Sequence, residues 1–114
     1  MTHLQKRIKF TQSVADLIKF ASDQGYEVIL DWALRSAVAQ KELYDKGASK
    51  YDGYNTKSQH QRGLAVDIYI MENGQISEDE EKYNILHQFW EDEGGQPIIV
   101  FSNGNKDLGH FEMR

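Results

Sequence analysis

The chain has 114 residues, no cysteine, 39% hydrophobic and 27% charged residues, and a formal net charge of −5. That length suits one domain, spanning residues 1–114, which can bury roughly two-thirds of the surface its unfolded chain exposes. The composition excludes disulfides and thiolate metal sites, argues against nucleic acid as the main partner, and leaves no apolar run long enough to enter a membrane.

The N-terminus MTHLQKRIKF lacks an apolar signal core, so the expectation is a soluble, monomeric protein made in the cytoplasm without a signal peptide. Lys6, Arg7 and Lys9 read as a solvated basic face, and the acidic runs Glu78–Glu81 and Glu91–Glu93 as surface charge. Val14, Leu17, Ile18 and Ala21 recur at helical spacing between Thr11 and about Gln24, with Gly25 as the stop. "YEVIL" (Tyr26–Leu30) reads as a short buried strand. Ser36 can cap a second helix running to about Lys46 and ending at Gly47.

The polar segment from Gly47 to Lys57 reads as a loop, and Leu64 to Met71 as a strand. Asn73-Gly74 is a two-residue hairpin signal, with Gln75 and Ile76 starting the return. Ser77 and Glu80 have capping-box spacing for a third helix, whose Tyr83, Leu86, Phe89 and Trp90 share one side before Gly94-Gly95. "PIIVF" (Pro97–Phe101) reads as a strand, Ser102 to Gly109 as a turn-rich loop, and His110 to Met113 as a last short strand. About three helices with strands joined through a hairpin imply an α+β domain with a mainly antiparallel sheet.

Side chains alternate along a strand, so Ala65, Asp67 and Tyr69 share one face while Val66, Ile68 and Ile70 turn to the core. Asp67 then stands on a stiff element, with His60 on the preceding loop and Gly63 letting that loop turn back. Alone, this pair is weak evidence and reads first as a loop running into a strand, since a His and an Asp seven apart often occur by chance. "DLGHFEMR" adds Asp107 and His110, three residues apart, at the entrance to the final strand. Hydrolytic zinc sites take three His or carboxylate ligands and need a further carboxylate to accept a proton from water. His60, Asp67 and His110 can be the ligands of one Zn2+ per chain and Asp107 the base. Arg35, in "LDWALRS", is the candidate to stabilise an oxyanion or grip a substrate carboxylate.

"SQHQRGLAVDI" resembles the Ser-x-His-x-x-Gly-x-Ala-x-Asp motif of the D-alanyl-D-alanine metallopeptidases, a group that includes phage L-alanoyl-D-glutamate endopeptidases. "FTQSVADLIKFASDQGYEV" is similar to their opening helix and strand, "RSAVAQKELYDKG" to their Arg-Ser-x-x-x-Gln segment, and "DLGHFE" to their closing carboxylate-x-x-His. The resemblance implies a small α+β zinc-peptidase fold like that shared by the D,D-peptidases and hedgehog proteins. It implies His60, Asp67 and His110 as zinc ligands, Asp107 as catalytic carboxylate, and Arg35 with Ser58 and Gln40 around the substrate. The implied substrate is the peptidoglycan stem peptide, reached after another agent releases the enzyme to the wall. The implied reaction is L-alanoyl-D-glutamate cleavage, with D-alanyl-D-alanine carboxypeptidase activity or a non-catalytic metal-bearing domain as the alternatives.

Other readings accompany each residue. Asp107 could cap its loop as an Asx-turn, Arg35 could pair with a surface carboxylate, and Ser58 and Gln40 could brace loops. Glu112 could orient a ligand histidine or be exposed. His3, at a frayed terminus, and His87, on a helix, have no partner motif and read as ordinary. Relatives carry Trp-Gly-Gly before the last strand, whereas this chain has Glu93-Gly94-Gly95 with Trp90 upstream.

Overall fold

A computed structural model describes residues 1–31, 41–42, 44–47 and 61–114. Helix α1 spans His3–Asp23. It begins well before the expected Thr11, because Thr2 and Gln5 close a reciprocal capping box at its start. His3 is therefore the first helical residue, not part of a frayed end. Gly25, at φ +83°, turns the chain out of the helix.

Strand β1 follows at Glu27–Leu30, β2 at Ala65–Glu72, β3 at Gln75–Ile76 and β4 at His110–Glu112. Among the described residues every pairing is antiparallel, with β2 at the centre. Asn73 and Gly74 both take positive φ in the two-residue turn between β2 and β3, as the Asn-Gly signal predicts. Helix α2 runs Glu80–Asp92, and Gly94, at φ +96°, follows its end. Among the described residues these two helices are complete. Residues 41, 42, 44 and 45 are helical too, while Ser36 and most of the expected second helix lie outside the described residues.

Val66, Ile68 and Ile70 of β2 pack with Phe10, Leu17 and Ala21 of α1 and with Tyr83, Leu86 and Trp90 of α2. Each large apolar side chain so buried contributes about 1.5–3 kcal/mol. The helices thus occupy one face of the sheet, leaving the Asp67 face of β2 for the site.

Three further sequence expectations are corrected. Ile29 and Leu30 of β1 are exposed: among the described residues β1 pairs only with β2, and of its side chains only Val28 packs on the core. The N-cap of α2 is Asp79, whose side chain accepts from Glu81 N, while Ser77 Oγ accepts from Asp79 N and donates to Glu72. The Ser77–Glu80 box does not form, since Ser77 is engaged by β2. Pro97–Phe101 is not a sheet strand: a single bridge, Val100 to Lys106, folds it onto the following loop, leaving Val100 and Phe101 exposed.

Candidate metal and catalytic site

The pairing of β2 with β4 builds the centre of the site. Asp67 and His110 are register partners, so their side chains rise from the same face of the sheet. Asp67 Oδ1 lies 3.3 Å from His110 Nδ1. The other ring nitrogen, Nε2, lies 3.1 Å from Glu112 Oε1, and Arg114 Nε donates to Glu112 Oε2 at 3.2 Å. Glu112 is 5% exposed, which decides between its two readings: it braces His110.

Burial alone would lower the His110 pKa. The hydrogen bonds to Asp67 and Glu112, helped by the Asp107 charge, overcome that and push it up to about 9. Burial acts to raise the Glu112 carboxyl, but its bonds to His110 and Arg114 hold it below the usual carboxylate range.

The loop before β4 brings in Asp107. Its backbone N donates to Ile99 O at 2.9 Å, and its carbonyl accepts from His110 N at 3.3 Å, a tight turn that sets Asp107 beside the strand entrance. Gly109 is required there by close approach: a Cβ would stand 2.5 Å from Tyr69 Cε1 and 2.9 Å from Ile68 O. Tyr69 therefore lies against the turn between Asp107 and His110. Burial, then the charges of Asp67, Asp107 and Asp31, push its phenol up to about 12, so it stays a hydrogen-bond donor at any physiological pH. Asp31 joins this side of the sheet through its N–H to Asp67 O, 2.8 Å.

Helix α2 supports the same strand from the core side. His87 is 3% exposed, its ring stacked on Phe111 at 4.1 Å and its Nε2 2.7 Å from Leu108 O. One turn on, Trp90 Nε1 donates to Glu112 O at 2.9 Å. Burial, only partly offset by the Leu108 bond, lowers the His87 pKa to about 4, so the ring is neutral and donates through Nε2. Gly95 sits against the Trp90 indole, where a Cβ would approach Nε1 to 2.1 Å. The displaced tryptophan thus still packs on the glycine pair.

His87 is buried against the strand that carries His110, a placement that no sequence motif marks. It reads as ordinary because no motif surrounds it, yet it lies between Tyr83 and Trp90 at helical spacing on the face turned to the sheet. That spacing was the available signal.

His60, Arg35, Ser58 and Gln40 lie outside the described residues. Among the described residues no group of three or more metal-binding side chains forms. Asp67 and His110 nevertheless fit a shared ion. Two ligands on one tetrahedral zinc, with bonds of about 2.0–2.1 Å, stand about 3.3 Å apart, which is the separation found. A carboxylate on the remaining imidazole nitrogen is the usual outer support of a zinc-ligating histidine, and Glu112 supplies it.

The sequence model of a family described as VanY, D-alanyl-D-alanine carboxypeptidase, matches residues 2–94. That span includes Arg35, His60 and Asp67 and stops before Asp107 and His110. Comparison with curated proteins gave no match. Among solved structures, the chain is similar to the Serratia marcescens L-Ala D-Glu endopeptidase ChiX, with a TM-score of 0.57 and 23% identity over 78% of this chain and 68% of that one. It is also similar to a mutant of the vancomycin-resistance D,D-pentapeptidase VanY from a VanB-type cassette, solved with Zn(II). There the TM-score is 0.65, with 21% identity over 93% of this chain and 71% of that one. These likenesses bear on the fold, and they agree with the α+β, antiparallel architecture.

Proposed function

This chain belongs to the D-alanyl-D-alanine carboxypeptidase family, and from that premise we propose that it is a zinc peptidase acting on the stem peptide of bacterial peptidoglycan. Its preferred bond is L-alanoyl-D-glutamate. The observation that carries the reading is the 3.3 Å approach of Asp67 to His110, with Glu112 on the far nitrogen of the same ring.

His60, Asp67 and His110 hold the ion in this reading. When bound, zinc supplies Lewis acidity at the scissile carbonyl and favours ionisation of water at neutral pH. Asp107, in the turn beside His110, takes a proton from the attacking water and returns one to the leaving amine. Glu112 fixes the His110 ring and keeps Nδ1 facing Asp67. Arg35 grips a substrate carboxylate, and Ser58 and Gln40 contribute to substrate binding. Tyr69, a phenol against the Asp107–His110 turn, gives the site face a donor that does not ionise.

The aspartate at position 107 supports the endopeptidase assignment, since the phage endopeptidases that the motifs resemble often carry aspartate where carboxypeptidase-like members carry glutamate. D-alanyl-D-alanine carboxypeptidase activity is the second reading, favoured by the family description itself. Mass spectrometry of purified peptidoglycan before and after incubation separates them. New free L-alanine carboxyl ends support the endopeptidase. Loss of terminal D-alanine supports the carboxypeptidase, and an unchanged wall rejects both.

A further inference from the structure

We propose that His87 is a positioning residue for this site, holding the Asp107–His110 turn in place through its Nε2–H to the Leu108 carbonyl. The inference rests on the zinc-peptidase reading and adds to it a residue that touches neither substrate nor metal.

Leu108 sits between the candidate base and the candidate ligand, and its carbonyl is the acceptor, 2.7 Å from His87 Nε2. Gly109 follows and has no side chain with which to anchor the turn. Trp90, on the next turn of α2, donates to Glu112 O. Helix α2 therefore grips the chain at residues 108 and 112, and His110 lies midway between the two holds. The Phe111 ring, stacked 4.1 Å from His87, fixes the imidazole plane that aims Nε2 at the carbonyl.

The other ring nitrogen makes a generic packing role costly. Among the described residues, His87 Nδ1 is buried with no hydrogen-bond partner. Burying an unsatisfied polar atom is unfavourable, a cost that phenylalanine would avoid while keeping the stack on Phe111. What phenylalanine lacks is the donor to Leu108. Nothing else among the described contacts distinguishes the two side chains at this position.

The test is zinc affinity, measured by competition with a chromophoric chelator, for the wild-type chain, His87→Phe and His87→Gln. His87→Phe should weaken zinc binding about tenfold or more, within the range typical of groups supporting metal ligands, and lower kcat on peptidoglycan more than it changes KM. His87→Gln, whose amide can donate to Leu108, should recover most of both. Equal zinc affinity and kcat in wild type and His87→Phe would overturn the inference alone. Absence of zinc from the wild-type chain would remove the functional reading and this inference with it. If His87→Phe does not fold, 15N spectra of the wild-type imidazole decide: a ring protonated on Nε2 and protected from exchange supports the role, and one protonated on Nδ1 overturns it.

Discussion

Asp67 and His110 stand directly opposite each other on β2 and β4, 43 residues apart in the chain, with Oδ1 and Nδ1 separated by 3.3 Å. Both positions belong to paired backbone, so the separation is set by strand register and not by two mobile side chains finding each other. A one-residue slip of β4 would turn His110 into the core and Phe111 out of it. The buried Phe111 therefore enforces the register that the site needs.

Glu112→Gln keeps the shape of the His110 support and removes its charge. Zinc should bind about 10–100-fold more weakly, as read by chelator competition, with the fold retained. Unchanged affinity would mean that Glu112 serves only Arg114.

Asp107→Asn separates chemistry from metal binding. The variant should keep its zinc and lose about 10²–10⁴-fold in turnover, the usual contribution of a positioned acid–base group. Turnover and elemental analysis on the same preparation check this. Activity within a few-fold of wild type would reduce Asp107 to a turn residue.

Gly109→Ala should disturb the site through the backbone. Its Cβ would meet Tyr69 and the carbonyl oxygen of Ile68, and the latter cannot swing aside as a side chain can. Overpacking of this kind costs about 1–3 kcal/mol, measurable by urea unfolding, and should weaken zinc binding in parallel. A variant as stable as wild type would show that the turn yields freely.

The buried imidazole of His87 gives the metal-free chain an acid-sensitive stability. Its pKa falls from 6.5 to about 4 on folding, so between those values the unfolded chain holds more protons. The contribution is complete above about pH 6.5, shrinks as pH falls towards 4, and amounts to at most about 3 kcal/mol. Urea unfolding at pH 7 and 4.5 should show a larger loss for wild type than for His87→Gln, which has no imidazole to titrate. Equal losses would contradict a neutral buried His87.

Much of this architecture was legible from residue pattern. The alternation along Ala65–Ile70 assigned Asp67 to one face and the aliphatic residues to the core, and the structure keeps that division. Asn73-Gly74 and Gly25 marked turns because few other residues accept their backbone angles. Pattern failed where a long-range contact decided the outcome. Ser77 has capping chemistry at capping spacing, but Glu72 on the neighbouring strand claims its hydroxyl. "PIIVF" has strand composition, yet it folds back on its own loop instead of joining the sheet. The His87 hydrogen bond was invisible for the same reason: its partner is Leu108, 21 residues away. Motif spacing grouped Asp67, Asp107 and His110 as candidates, and the structure brings these three to one end of the sheet. The expectations for His60, Arg35, Ser58 and Gln40 fall outside the described residues.

The most direct test of the central claim is metal content by elemental analysis, comparing the wild-type chain with Asp67→Asn and His110→Gln after zinc loading and gel filtration. About one zinc is expected per wild-type chain and little on either variant, with all three folded. Wild-type protein that emerges without zinc, or variants that retain as much as wild type, would contradict it.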